Sequence, residues 1–425
     1  MGLLKIYNID EKQAEIAIER WWTNPYYQSL CNESGVKSPE QLQTIIDSGD
    51  LARVPVILDT DAKILPERNA TSTVSGGKSI QLTRGLIDSI PSTMPLFMDF
   101  SSGANPDCVI RTEEEIVAEK SNYLESFIKG TGKNHFDGLL SLFPSRSSLV
   151  RGAKDDYKKA AKAGIVASLD RPVNPRRQTE SGLDAAESIS DMLHDGLLKF
   201  SLPLTILNKT VLRRWQGGAV HILPNHDLIT GILREYEKNG KTALIGTSPI
   251  FAYLYMNAVG DCNFDFKGRI CLHGGGGGYR GWKGPLKLPN EIDQTQYANM
   301  MKRMFGVYPS ETYGYTGQTH TLVLRWNPDR EWFDGDKQIE KKGAYEAYPK
   351  GDVCGSAIIY AFNPLRGEVC KSGPGLLRSI NFEGSHAQFD GAMQVQDRCY
   401  VDGTDKYGVP IALYGIRGIG DKPGC

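Results

Sequence analysis

The sequence predicts an α/β fold: a core of mostly parallel sheet flanked by helices, followed by a β-rich C-terminal part. Three observations carry this. Between Pro203 and Tyr308, short apolar strand-like runs alternate with helical stretches, the pattern of a largely parallel sheet covered by helices. After Lys341 the helical pattern stops, and short runs separated by Gly, Pro and Asp turns replace it. Two glycine-containing turns, Gly274–Gly278 and the one around Gly314, each follow a predicted strand. That places both at strand C-terminal ends, where sheets of this kind bind ligands. The expected division is 1–344 for the α/β core, 345–413 for the β-rich part that completes the site, and 414–425 for a hinge-like tail.

The elements follow in chain order. Glu11 to Tyr27 has an apolar stripe (Ala14, Ile16, Ala17, Ile18, Trp21, Trp22) at helical spacing, with an end near Asn24-Pro25. A second helix covers Pro39 to Ile46, with Ser38 as its cap. Val54 to Leu58 is strand-like, and Ser79 to Thr83 alternates strictly. Arg111 to Lys129 is helical, with Glu113, Glu114 and Glu115 complementing the dipole of its first turn. Asp155 to Ala163 and Leu183 to Leu198 are further helices, and the basic, proline-rich Asp170–Arg177 between them reads as a surface loop. Pro224 to Asn239, Pro249 to Ala258 and Ile292 to Phe305 are helices; Thr242 to Gly246 and Gly268 to Leu272 are strands. Strands are expected over Asp352–Phe362, Glu368–Arg378, Ala392–Asp402 and Pro410–Tyr414.

Composition narrows the function classes. The chain has 425 residues, 40% apolar and 23% charged, enough for a large soluble core. A net charge of −1 gives no field that favours nucleic acid or an anionic membrane. No apolar run approaches the ~20 residues of a membrane span, and Met1–Ile6 lacks a signal-peptide pattern. Eight cysteines without a C-x-x-C pair argue against a disulfide framework or zinc, so a cytoplasmic location is expected. His135, His194 and His386 stand alone, and His221 and His226 flank Pro224–Asn225 without sharing a helix face.

Two stretches carry chemistry. In Glu311–His320, two tyrosines flank Gly314 and Thr316 follows, offering a flat ring to a base and hydroxyl and N–H groups to a phosphate. Far upstream, Asn69–Ser79 is a hydroxyl-rich glycine loop. Its Gly77-Lys78-Ser79 is not a Walker loop, because a strand and not a helix follows it. Together they suggest a nucleotide site.

These motifs, in this order, resemble those of the adenylate-forming superfamily, and most of all the acyl-protein synthetases of bacterial luminescence (LuxE-type fatty-acid activators), with phenylacetate–CoA ligase-like enzymes next. Thr71, Ser72, Thr73, Ser75, Gly76 and Lys78 are similar to the family's phosphate loop. His273–Lys283 resembles the glycine segment before Trp-Lys, implying Gly275 and Gly276 beside the nucleotide and Lys283 as a candidate catalytic lysine. Tyr313–Gln318 resembles the family's Tyr-Gly-x-Thr-Glu, implying that Tyr313 stacks on adenine, Gly314 lies beside it and Thr316 contacts the α-phosphate. The family's metal-binding glutamate falls on Gly317, leaving Gln318 or Glu311 as the substitute ligand for magnesium. Asp397 matches the ribose-binding aspartate and Arg417 the hinge arginine. The C-terminal Gly424-Cys425 matches a cysteine that carries the acyl group as a thioester.

The resemblance implies an AMP-forming ligase that uses ATP and magnesium on a fatty or aromatic acid and passes the acyl group to a thiol, with an acyl-accepting partner protein. Phe251, Tyr279 and Trp282 are the expected acyl-pocket residues. The family's C-terminal lid is expected to be absent. CoA or a carrier protein as acceptor, and a degenerate nucleotide-binding scaffold, are the alternatives.

Overall fold

Helix ends in this chain are set where the sequence supplies caps. The computed structural model describes residues 2–59, 90–100, 108–133, 135–142, 146–162, 171–177, 199–200, 211–216, 219–275, 278–283, 286–315, 318–334, 336–383 and 391–418. Asp10 caps the helix Glu11–Thr23, Asn24 caps Pro25–Glu33 and Ser38 caps Pro39–Ser48 through side-chain oxygens that accept backbone N–H groups. The expected single helix to Tyr27 is thus two helices, because Asn24 and Pro25 end one and start the next. Arg111 and Thr112 belong to the strand Cys108–Thr112, and the helix Glu113–Thr131 starts after them. Thr112 and Glu115 form its reciprocal capping box.

One large mixed sheet organises the molecule. Its parallel part comprises Gly138–Leu142, Ala243–Thr247, Ile270–Gly275 and Ser310–Tyr313, side by side in that order. The helices His226–Lys238, Pro249–Val259 and Gln294–Phe305 bury Leu233, Phe251, Tyr297, Met301 and Met304 in one core cluster with Ile245 and Leu272 of these strands. Each fully buried aliphatic side chain of this kind contributes about 1.5–3 kcal/mol.

From Ser310–Tyr313 onward the sheet is antiparallel. It continues through Thr321–Asp334, Lys337–Ala347, Pro410–Gly418, Gly391–Thr404, Gly373–Asn381, Ala357–Asn363 and Glu368–Val369. The 14-residue and 11-residue arms of the first hairpin carry no strand expectation from the sequence. The N-terminal helices pack on this antiparallel half. The Trp21 and Phe382 rings lie 5.5 Å apart, Tyr27 Oη donates to the Pro55 carbonyl at 3.0 Å, and Ile57–Leu58 pairs in parallel with Met393–Gln394. A boundary at 344/345 falls inside the strand Lys337–Ala347, and residues 414–418 continue the strand that begins at Pro410.

A smaller sheet holds Leu96–Phe100, Cys108–Thr112 and Asn174–Arg177. The basic segment read as a surface loop is therefore partly strand. Arg176 is buried and ion-paired to Asp99 at 3.1 Å and to Glu119 at 3.5 Å. Charge density in sequence signals solvent only when no buried carboxylates await it, and here two do.

Candidate functional site

The parallel strands Ile270–Gly275 and Ser310–Tyr313 end together, with Gly275 opposite Thr312. A β-carbon on Gly275 would stand 2.8 Å from Tyr123 Oη, so glycine here leaves room for the hydroxyl that the helix Glu113–Thr131 brings to this edge.

Alternation along Ser310–Tyr313 splits its side chains between two faces. Ser310 and Thr312 face His273: Nδ1 lies 2.8 Å from Ser310 Oγ, and Nε2 lies 2.7 Å from Thr312 Oγ1. Ser126 Oγ, from the flanking helix, is 2.5 Å from Thr312 Oγ1. Burial pushes the His273 imidazole down to about 3, so it is neutral and both ring nitrogens are engaged. Despite its Ser–His contacts, this buried cluster ties the strand to the helix.

Glu311 and Tyr313 point to the other face. Tyr279 Oη donates to the Glu311 carboxylate and lies 3.0 Å from Tyr345 Oη, while the Tyr297 ring meets the Tyr279 ring edge-on at 5.6 Å. Burial raises the Glu311 carboxyl to about 7, against hydrogen bonds from Tyr279 and Tyr345 that favour the charged form. Two residues further, the Tyr313 hydroxyl donates to Asp397 Oδ2, joining two motif residues from different strands.

The turn after Tyr313 is anchored at its far end. Tyr315 Oη lies 2.6 Å from Ser379 Oγ. Arg111 Nη2 donates to the Gln318 carbonyl at 3.3 Å, Asn122 Nδ2 to the Thr319 carbonyl at 3.1 Å, and Asn381 Nδ2 to Thr319 Oγ1 at 2.8 Å. Arg111 is itself fully buried, at 2.6 Å from Glu119 and 3.3 Å from Asp99. Thus Asp99, Arg111, Glu119 and Arg176 together tie the helix, the small sheet and the segment at Gln318 to one another. Burial lowers His320, in the same turn, to about 4.

Of the residues singled out from sequence, Tyr313, Gly314, Asp397, Gly275, Tyr279 and Gln318 lie in or beside this strand edge. Thr71, Ser72, Thr73, Ser75, Gly76, Lys78, Gly276, Thr316 and Cys425 lie outside the described residues. Trp282 and Lys283 form a short strand paired with Leu286–Lys287. Phe251 is 1% exposed within the closed core around Leu233 and Tyr297. Arg417 pairs with Arg398 while its neighbour Gly418 pairs with Asp397, so alternation sends Arg417 and Asp397 to opposite faces of the sheet.

Sequence reasoning treated Glu311 only as a substitute metal ligand and passed over Arg111, His320 and the tyrosines at 297 and 345. A signal for Glu311 existed: it shares a strand face with Tyr313 by the two-residue period.

Gln318 is buried, and its Oε1 has no hydrogen-bond partner among the described residues. Magnesium keeps several waters and is held by few protein oxygens plus substrate phosphates, so one orphaned amide oxygen is compatible with it. No three His, Cys, Asp or Glu side chains gather to hold a metal among the described residues. A carboxylate offers about four lone-pair sites, and Asp397 takes the Tyr313 hydroxyl at one of them.

Searches with this chain found no matching family model and no matching curated protein. Among solved structures it is similar to 2-hydroxyisobutyryl-CoA ligase in the postadenylation state with R3-HIB-AMP, at 12% identity and a TM-score of 0.48, over 98% of this chain and 68% of that one. It is likewise similar to an open conformation of 2-hydroxyisobutyryl-CoA ligase with 2-HIB-AMP and CoA, at 14% identity and a TM-score of 0.49, over 96% and 68%. The inhibitor-bound N-terminal domain of FACL13 from Mycobacterium tuberculosis matches at 12% identity and a TM-score of 0.36, over 77% and 60%. No described helix is long and apolar enough to cross a membrane.

Proposed function

We propose that this chain activates a carboxylic acid with ATP, forming an acyl-adenylate and pyrophosphate, and passes the acyl group to a thiol. The observation that carries the reading is the hydrogen bond from Tyr313 to Asp397 at the C-terminal edge of the parallel strands. It sets a ring for adenine and a carboxylate for ribose side by side, at the edge where sheets of this kind bind ligands.

In this reading a carboxylate oxygen of the acid attacks the α-phosphorus of ATP, the bond to the β-phosphate oxygen breaks, and pyrophosphate leaves. Tyr313 and Asp397 hold the nucleoside while Thr316, with Lys283 as a candidate cation, meets the phosphates. The Arg111–Gln318 bond fixes the chain two residues beyond Thr316 in sequence. Magnesium, when bound through Gln318, would neutralise phosphate charge. A thiolate then attacks the acyl carbon, and AMP leaves with the anhydride oxygen. Cys425 is the proposed acceptor, an acyl-accepting protein the proposed partner, and a fatty or aromatic acid the proposed substrate.

A screen of carboxylic acids for acid-dependent pyrophosphate release, with mass spectrometry for an acyl adduct on Cys425, tests this. Release with an adduct is the expected result; no release with any acid overturns the enzymatic reading. A nucleotide-binding scaffold is the second reading, favoured by Gly317 standing where a metal-binding acid is expected. ATP binding by calorimetry without turnover selects it.

A further inference from the structure

On the sheet face opposite Asp397, three aromatic rings carry three cations. Trp332 meets Tyr400 edge-on at 4.9 Å and Tyr414 at 5.5 Å, and the two tyrosines stack at 5.5 Å. Lys341 Nζ stands 3.8 Å over the Trp332 ring, the Arg398 guanidinium 5.1 Å over Tyr400 and that of Arg330 5.1 Å over Tyr414. Arg417 completes the set, directly opposite Arg398 in the ladder.

These four cations are not equivalent. Arg330 is neutralised by Glu346 at 2.7 Å and by Asp402. Among the described residues Lys341, Arg398 and Arg417 have no carboxylate within salt-bridge distance. Like charges placed directly opposite across an antiparallel pair are destabilising. Burial, and then the charge of Arg417, lowers the pKa of Lys341, while Asp293 opposes that shift. The fold thus gathers three cations beside one aromatic base, and an anion placed between them would offset their charge.

We propose that Lys341, Arg398 and Arg417 form an anion subsite for a diphosphate group, on a ligand distinct from the nucleotide at Tyr313–Asp397. Two arginines opposite each other present forked donors that match phosphate oxygens pairwise, and the lysine adds a point charge. Three positive charges match a multiply charged diphosphate better than a lone carboxylate. Position separates the two sites: Asp397 is on the other face of the same strand. The subsite stands whether or not the chain turns over ATP.

Calorimetric titration of the full chain with inorganic pyrophosphate tests the assignment, using wild type, the Lys341→Glu/Arg398→Glu double variant and Asp397→Asn. The expected result is a binding event weakened roughly tenfold or more in the double variant and unchanged in Asp397→Asn. Thermal unfolding checks folding, and Arg398→Gln is a second variant that relieves the repulsion; it should lose affinity while its Tm holds or rises. Absence of pyrophosphate binding in the wild type overturns the proposal, as does binding that survives the double variant or is lost in Asp397→Asn. An acidic peptide that binds this face where pyrophosphate does not also overturns it.

Discussion

Replacing Glu311 by glutamine removes a carboxyl that titrates near neutrality in the folded chain, and the change is readable in how stability depends on pH. Burial raises this carboxyl from 4.5 to about 7. Between those values the folded chain keeps a proton that the unfolded chain has released. The stability it contributes is therefore complete below pH 4.5 and is lost as pH rises through about 7. His273 and His320 act with the opposite sign. Burial lowers them from 6.5 to about 3 and about 4, so below pH 6.5 the unfolded chain takes up protons that the folded chain refuses.

At about 1.4 kcal/mol per pH unit per group, the two histidines together cost about 3 kcal/mol between about pH 6.5 and 5, and Glu311 offsets about 1.7 kcal/mol of it. Glu311→Gln should thus lose about 1.7 kcal/mol more than wild type over that interval, and lose about 0.8 kcal/mol less between about pH 6.5 and 8. All other carboxylates cancel in the comparison. Urea denaturation at about pH 5, 6.5 and 8 measures both differences. Parallel stability curves for the two proteins would refute the reasoning, because they would mean that Glu311 is ionised in the folded chain at the same pH as in the unfolded one.

Three other outcomes are expected. Arg111→Met should destabilise the chain by about 3–5 kcal/mol in denaturant titrations, since it takes an ion-pair partner from both Asp99 and Glu119 in a buried site. Gly130→Ala should cost about 1–3 kcal/mol by the same measurement, because its methyl would overlap the His273 ring. Under the proposed function, Tyr313→Ala should weaken ATP binding by about 1–3 kcal/mol in calorimetry, with Tyr313→Phe retaining the ring and most of the affinity. Equal affinities for wild type and Tyr313→Ala would remove adenine stacking from the site.

Local chemistry made several parts of this protein legible in its sequence. The cap at Ser38 and the alternation of strands with helices from Ala243 to Tyr313 rest on interactions within a few residues. Position at the strand ends is also a local inference, and Gly275 and Tyr313 lie there. The candidate residues Tyr313 and Asp397 could be named one at a time, but their contact could not, because it depends on how strands distant in sequence come together.

Tertiary structure alone decided the rest. Arg176 is buried because Asp99 and Glu119 meet it from two other elements, a fact absent from its own neighbourhood in the chain. The ladder between Gly391–Thr404 and Pro410–Gly418 shifts register between Arg398 and Tyr400. Arg417 opposes Arg398, one residue beyond Asp397, and so faces away from that carboxylate. The physical reason is the two-residue period of a strand: a one-residue change of register exchanges its faces, and register is set by the partner strand.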